Sequence, residues 1–135
     1  MGIIKKLDKN LISYIVGIAI LLFLFIFLIT CTQIGFGVKE KCKLAQEKYG
    51  GECVEALMKL IDDDSTQYGK NSAIWALGQL GDSRALPILE KYYTGQLSSQ
   101  REKWNEGISQ YELSKAIKLL RGGLNISAFI WRGEF

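Results

Sequence analysis

Few residues in this chain are of a type that carries chemistry. It contains no histidine, so the commonest general base and the commonest zinc ligand are both missing. Its three cysteines, Cys31, Cys42 and Cys53, form no CxxC pair, and three thiols without histidine make a poor metal site. Cys42 and Cys53 flank Gly50-Gly51. Facing an oxidising compartment they would bridge and staple two helices together; facing a reducing one they would stay ordinary thiols. Asp62-Asp63-Asp64 invites calcium, yet the alternating ligands, central glycine and distal glutamate of a calcium loop are missing. The run reads instead as a solvated turn whose acids favour the next helix N-terminus. Glu52, Glu55, Glu90, Glu106 and Glu112 fall where amphipathic helices place their solvated faces. No nucleophile–base pair, phosphate loop, haem motif or zinc motif stands out. The expectation is a chain with no catalytic residues, no cofactor, no metal and no small-molecule substrate.

Two groups of residues suit binding instead. The polar stretch 95–105, GQLSSQREKWN, carries Arg101, Lys103 and Trp104, and Trp and Arg are enriched among interface hot spots. The alternative is that Trp104 folds back onto the core. Residues 124–135, LNISAFIWRGEF, are apolar for a surface segment. Phe129, Trp131 and Phe135 are the partner-binding candidates there, because exposed apolar patches mark interaction sites. This segment would cover the end of the domain, lie on a membrane surface or dock on a partner. Asn125-Ile126-Ser127 matches a glycosylation acceptor, which matters only in a eukaryotic secretory route.

These residues must be positioned by helices. Residues 11–30, LISYIVGIAILLFLFIFLIT, hold twenty positions without one charge. A helix of that length spans about 30 Å, the hydrocarbon thickness of a bilayer. The run is too long for a signal-peptide core, and a transmembrane helix over 11–31 follows. Leu28-Ile29-Thr30-Cys31 resembles a lipoprotein box, with Thr30 where a smaller residue is usual, so lipidation of Cys31 is the alternative. The tail 1–10 carries Lys5, Lys6 and Lys9 against Asp8 and accounts for two of the chain's three net positive charges. The remainder is nearly neutral, which excludes the electrostatic footprint of a nucleic-acid binder. Lys39, Lys41 and Lys43 on the other flank nearly balance the tail. The short tail favours an N-terminus in the cytoplasm, with the rest outside the cell membrane.

Residues 32–50 read as a flexible link, QIGFG at 33–37, followed by a capping helix. In that helix Val38, Cys42, Ala45 and Tyr49 share one face. Helical segments follow at 52–61, 67–80, 83–93 and 110–120, punctuated by Gly50-Gly51, Gly81-Asp82 and Gly122-Gly123. Val54-Leu57-Met58-Ile61 matches Ala85-Ile88-Leu89-Tyr92 at an offset of 31 residues, and Ala76-Leu77-Leu80 matches Ala116-Ile117-Leu120 at 40. Two helical hairpins in tandem, the second carrying the 95–105 insertion, account for both offsets. Such periods mark stacked helical repeats.

Residues 72–92, SAIWALGQLGDSRALPILEKY, resemble the HEAT-like repeat named after phycobilisome lyases. Ala73, Ala76-Leu77-Gly78, Leu80-Gly81-Asp82, Arg84-Ala85-Leu86-Pro87 and Leu89 carry the resemblance. Together with the apolar run and the two offsets it points to an all-α fold: one transmembrane helix, then a short α-solenoid of about two hairpins over 51–123, then the apolar segment 124–135. It implies structural roles for Asp82 and Arg84, which tie neighbouring turns in that family. Such repeats usually scaffold protein contacts, and some members are bilin lyases, although the repeat itself holds no catalytic motif. The expected role is therefore a membrane-anchored interaction module, an accessory subunit whose partners are the lipid bilayer and other proteins of a membrane complex. A bilin-lyase-like enzyme or chaperone is the alternative.

Overall fold

The computed structural model describes residues 9–63 and 66–134. Lys5, Lys6 and Asp8 of the tail, Asp64 and Ser65 of the acidic turn, and the candidate Phe135 lie outside the described residues. The described residues form helices and no strand: α1 (Lys9–Tyr49), α2 (Cys53–Asp62), α3 (Gln67–Leu80), α4 (Leu86–Tyr92), α5 (Gln110–Leu120) and α6 (Ala128–Trp131). Single 3₁₀ turns cover Ser83–Ala85 and Arg132–Glu134.

Helix α1 is unbroken over 41 residues, about 60 Å of rise. It passes straight through 33–37, so the expected flexible link is a helix. The glycines there serve a different purpose. A Cβ on Gly35 would lie 2.7 Å from Trp131 Cβ, and one on Gly37 would lie 3.2 Å from Trp75 Cη2. Both positions are notches that admit a tryptophan against the helix backbone. The tertiary contact outweighs the ~1 kcal/mol helix penalty of each glycine.

The two halves of α1 live in different surroundings. From Leu11 to Ile29 every residue but Phe27 is exposed, and the most apolar stretch has nothing packed over it. It is long and apolar enough to cross a membrane by length and composition. Beyond it Cys31, Gly35, Val38, Cys42 and Ala45 are buried. Their alternating four- and three-residue spacing draws one stripe of small side chains down the helix. That stripe packs on α2, α3 and α6.

Four short helices build the repeats. Val54, Ala56, Leu57 and Ile61 of α2 meet Ala73, Ile74, Ala76 and Leu77 of α3, and Leu89 of α4 meets Leu113, Ala116 and Ile117 of α5, all in one core. Helices α3 and α5 approach most closely at Gly78, where a Cβ would sit 2.8 Å from Ala116 Cα. The helix ends obey local chemistry. Thr66 Oγ1 accepts from Gly69 N at 3.1 Å, and Ser109 Oγ accepts from Glu112 N at 3.1 Å, satisfying donors that a helix start leaves open. Gly81 closes α3 with φ 71°, a left-handed geometry that favours glycine.

Cross-links set the register between neighbours. A disulfide joins Cys42 of α1 to Cys53, the first residue of α2, with Cα atoms 4.9 Å apart. Arg84 donates to both oxygens of Glu52 at 2.7 and 2.9 Å and also to Asp82. Lys91 pairs with Asp62 at 2.7 Å, and Arg121 with Glu90 at 2.6 Å. The Arg84 hydrogen bonds hold the Glu52 and Asp82 carboxyls below their usual range, and those from Lys91 and Tyr92 do the same for Asp62. Such exposed pairs add little stability each, but they align one repeat on the next.

Candidate functional site: the inter-helix loop and the segment after α5

The 93–109 loop between α4 and α5 is pinned at both ends by amide side chains. At its start, Gln110 Oε1 accepts from Thr94 N at 2.8 Å while its Nε2 donates to Tyr92 O at 3.2 Å. At its end stands Asn71, which is wholly buried on α3. Its Nδ2 donates to Trp104 O at 3.1 Å and to Gly107 O at 2.7 Å, and its Oδ1 accepts from Ser109 N at 2.8 Å. All three polar positions of the amide are used, as burial demands. Glu102 adds a third tie, accepting from the Ser109 hydroxyl and from Tyr111 N.

This loop closes over a cavity of about 480 Å³ lined by Leu97, Arg101, Glu102, Trp104, Tyr111 and Glu112, among others. Trp104 is half-buried, its ring centroid 5.7 Å from that of Tyr68 at a 52° tilt. Arg101 and Lys103 are exposed, and Lys103 pairs with Glu106 at 2.8 Å. The three loop candidates thus share one surface, with Trp104 anchored rather than free. Glu112 departs from the solvated face expected of it: it is buried at the cavity wall, with Lys115 Nζ 3.6 Å away. Its helix turns that position toward the loop, and helical periodicity alone does not register an inserted loop. A patch with two carboxylates, a guanidinium and two aromatic rings can hold a mixed polar and aromatic surface. Among the described residues, no cluster of acids and cysteines is placed to hold a metal ion.

The second group of candidates lies elsewhere. Residues 124–134 leave the opposite end of α5 and return to α1. Trp131 is buried, with its Cβ against Gly35. Of the three roles open to this segment, Trp131 takes the first: it is a core residue that covers the domain's end. Phe129 remains outside and is 82% exposed. Arg132 donates from Nε to Gln79 O at 2.8 Å and from its terminal nitrogen to the same carbonyl. It caps the C-terminus of α3, where helix carbonyls lack partners and a cation is favoured. Cys31 is internal to α1, wholly buried and outside the disulfide.

The structure separates the two candidate groups by the length of α5. It also adds residues that sequence reasoning passed over. Asn71 and Gln110 looked like ordinary polar positions of amphipathic helices, and their partners lie 16 to 38 residues away.

Comparison with known families matches residues 70–94 to the PBS lyase HEAT-like repeat. The match covers most of α3, the Gly81 turn and α4. A repeat of this type points to a protein-interaction or lyase-type role. No curated protein and no solved structure was found to match the chain.

Proposed function

We propose that this protein is a membrane-anchored interaction module, an accessory or scaffolding subunit that presents the 93–109 loop to a partner within a membrane complex. One observation carries the reading. The same unbroken helix that exposes a bare apolar stretch from Leu11 to Ile29 also supplies Val38, Cys42 and Ala45 to the core of the repeat domain. The anchor and the domain are one rigid piece, so a membrane span would hold the loop close to the bilayer and raise its effective concentration for a neighbour. The Cys42–Cys53 bridge supports a repeat domain facing an oxidising compartment. The test is native-gel and mass-spectrometric analysis of membranes solubilised in mild detergent. Co-migration at fixed stoichiometry within a larger assembly, weakened by Trp104→Ala or Arg101→Ala, is the expected result. Migration alone at the chain's own mass would overturn it.

A lyase-type reading has its own support in the cavity beneath the loop, where Glu102 and Glu112 stand beside Trp104 and Tyr111. Titration with an open-chain tetrapyrrole, followed by absorbance, tests it. The absence of any spectral shift would remove it.

A further inference from the structure

The uncharged part of α1 is longer than a hydrocarbon core. From Leu11 to Val38 there are 28 consecutive residues without a charge, about 42 Å of helix, against ~30 Å for the hydrocarbon and 40–45 Å with both headgroup layers. Gly35 lies five residues beyond Thr30, roughly 7 Å further along the axis. If residues 11–30 fill the hydrocarbon, Gly35 lies at headgroup level. That is where α6 sits, because Trp131 packs directly on Gly35.

The outward side of this segment is apolar. Leu124, Ile126 and Phe129 are all more than half exposed, and so is Phe36 of α1. Phe129 exceeds in exposure every large apolar residue of the bare helix itself. Residues 124–131 carry no charge, and the first charged residue after them, Arg132, is turned inward onto Gln79. A water-facing patch of this kind is costly. Beside a span at this height it is continuous with the lipid-facing surface below it.

We propose that Leu124, Ile126, Phe129 and Phe36 dip into the headgroup–acyl boundary of the bilayer that α1 crosses, as a second contact with lipid. The occupant of the patch is lipid, not protein. A single span leaves a domain free to spin about its axis, whereas a second contact on one side of α1 fixes its rotation and tilt. The 93–109 loop, at the other end of α5, is then held in one orientation relative to the membrane. The proposal rests on α1 crossing the membrane.

The test uses the full chain, in a Cys31→Ala background with the Cys42–Cys53 bridge intact, in phosphatidylcholine–phosphatidylglycerol vesicles. Spin labels are placed singly at Phe129→Cys, Phe23→Cys in the bare helix and Leu97→Cys on the loop. Their collision rates with oxygen and with a water-soluble nickel chelate are compared. The ratio of oxygen to nickel collisions at 129 should exceed that at 97 several-fold and lie on the side of 23. A label at 129 that behaves like 97, while 23 remains in lipid, overturns the second contact and leaves the span standing. Water-like ratios at both 23 and 129 overturn the span and the proposal together. Shielding at 129 found in native membranes but absent in pure lipid vesicles overturns lipid as the occupant and assigns the patch to a partner protein.

Discussion

Asn71 is the single side chain on which the candidate loop depends most. Its removal should release the loop while sparing the helices. In Asn71→Ala three hydrogen bonds to Trp104, Gly107 and Ser109 are lost. Each contributes ~0.5–1.5 kcal/mol net, and an unsatisfied buried group costs more. Ser109 N is buried, whereas the two carbonyls lie in partly buried positions that water can reach once the loop moves. The expected loss is therefore about 2–4 kcal/mol, a large share of the 5–15 kcal/mol that stabilises a typical domain. Thermal unfolding of the full chain in detergent measures the loss. Amide exchange localises it: Ser109 N–H should lose its protection, while the amides of α2 keep theirs. Asn71→Asp sharpens the test, since it retains an acceptor for Ser109 N–H but turns a carboxylate toward two carbonyl oxygens. Its loop should open at neutral pH as well. A loss below about 0.5 kcal/mol with unchanged exchange at Ser109 would refute the pinning role.

Other perturbations probe the packing, the bridge and the surface charges. Gly78→Ala sets a Cβ 2.8 Å from Ala116 Cα. Helix backbone cannot rotate away, so overpacking of ~1–3 kcal/mol should outweigh the gain of up to ~1 kcal/mol in helix propensity. A raised melting temperature would contradict this. Replacing Cys42 and Cys53 together by alanine removes a cross-link spanning 11 residues, worth about 3 kcal/mol by loop entropy. Equal stability with and without reductant in the parent chain would contradict it. Glu52, Asp62 and Asp82 have carboxyl pKa values held below their unfolded ones. Their contribution is therefore present at neutral pH and fades as pH falls below about 4. Because these groups lie at the surface, the effect should be modest and shrink in high salt. Arg84→Met should flatten that acid limb in a pH series of melts, and an unchanged limb would contradict the assignment. Arg132→Ala should unseat α6 from the end of α3, read as increased exposure of Trp131 in fluorescence quenching. Unchanged quenching would contradict the capping role.

Local rules carried much of the helix pattern. The boundaries of α3 and α5 follow from turn chemistry: Gly81 in a left-handed position, and Thr66 and Ser109 as caps. The repeat was legible because each hairpin turns an apolar stripe inward, so buried Val54 recurs as buried Ala85. Gly35 and Gly37 were misleading for a physical reason. Glycine weakens an isolated helix, and nothing nearby in the chain announces that Trp131 and Trp75 will fill the space that it leaves. For the same reason the roles of the apolar segment 124–135 stayed open until Trp131 was seen seated on Gly35.

By itself the sequence determined the apolar stretch 11–30, the helical class, the repeat periodicity and the lack of histidine chemistry, because each depends on residue type and short spacing. Only the tertiary structure decided that α1 runs unbroken from the bare helix into the core, that Asn71 pins a loop more than thirty residues away, and that Trp131 seats on Gly35. Those outcomes rest on contacts between distant segments. Such contacts are fixed by the fit of surfaces in space, which a linear pattern of residue types does not encode locally.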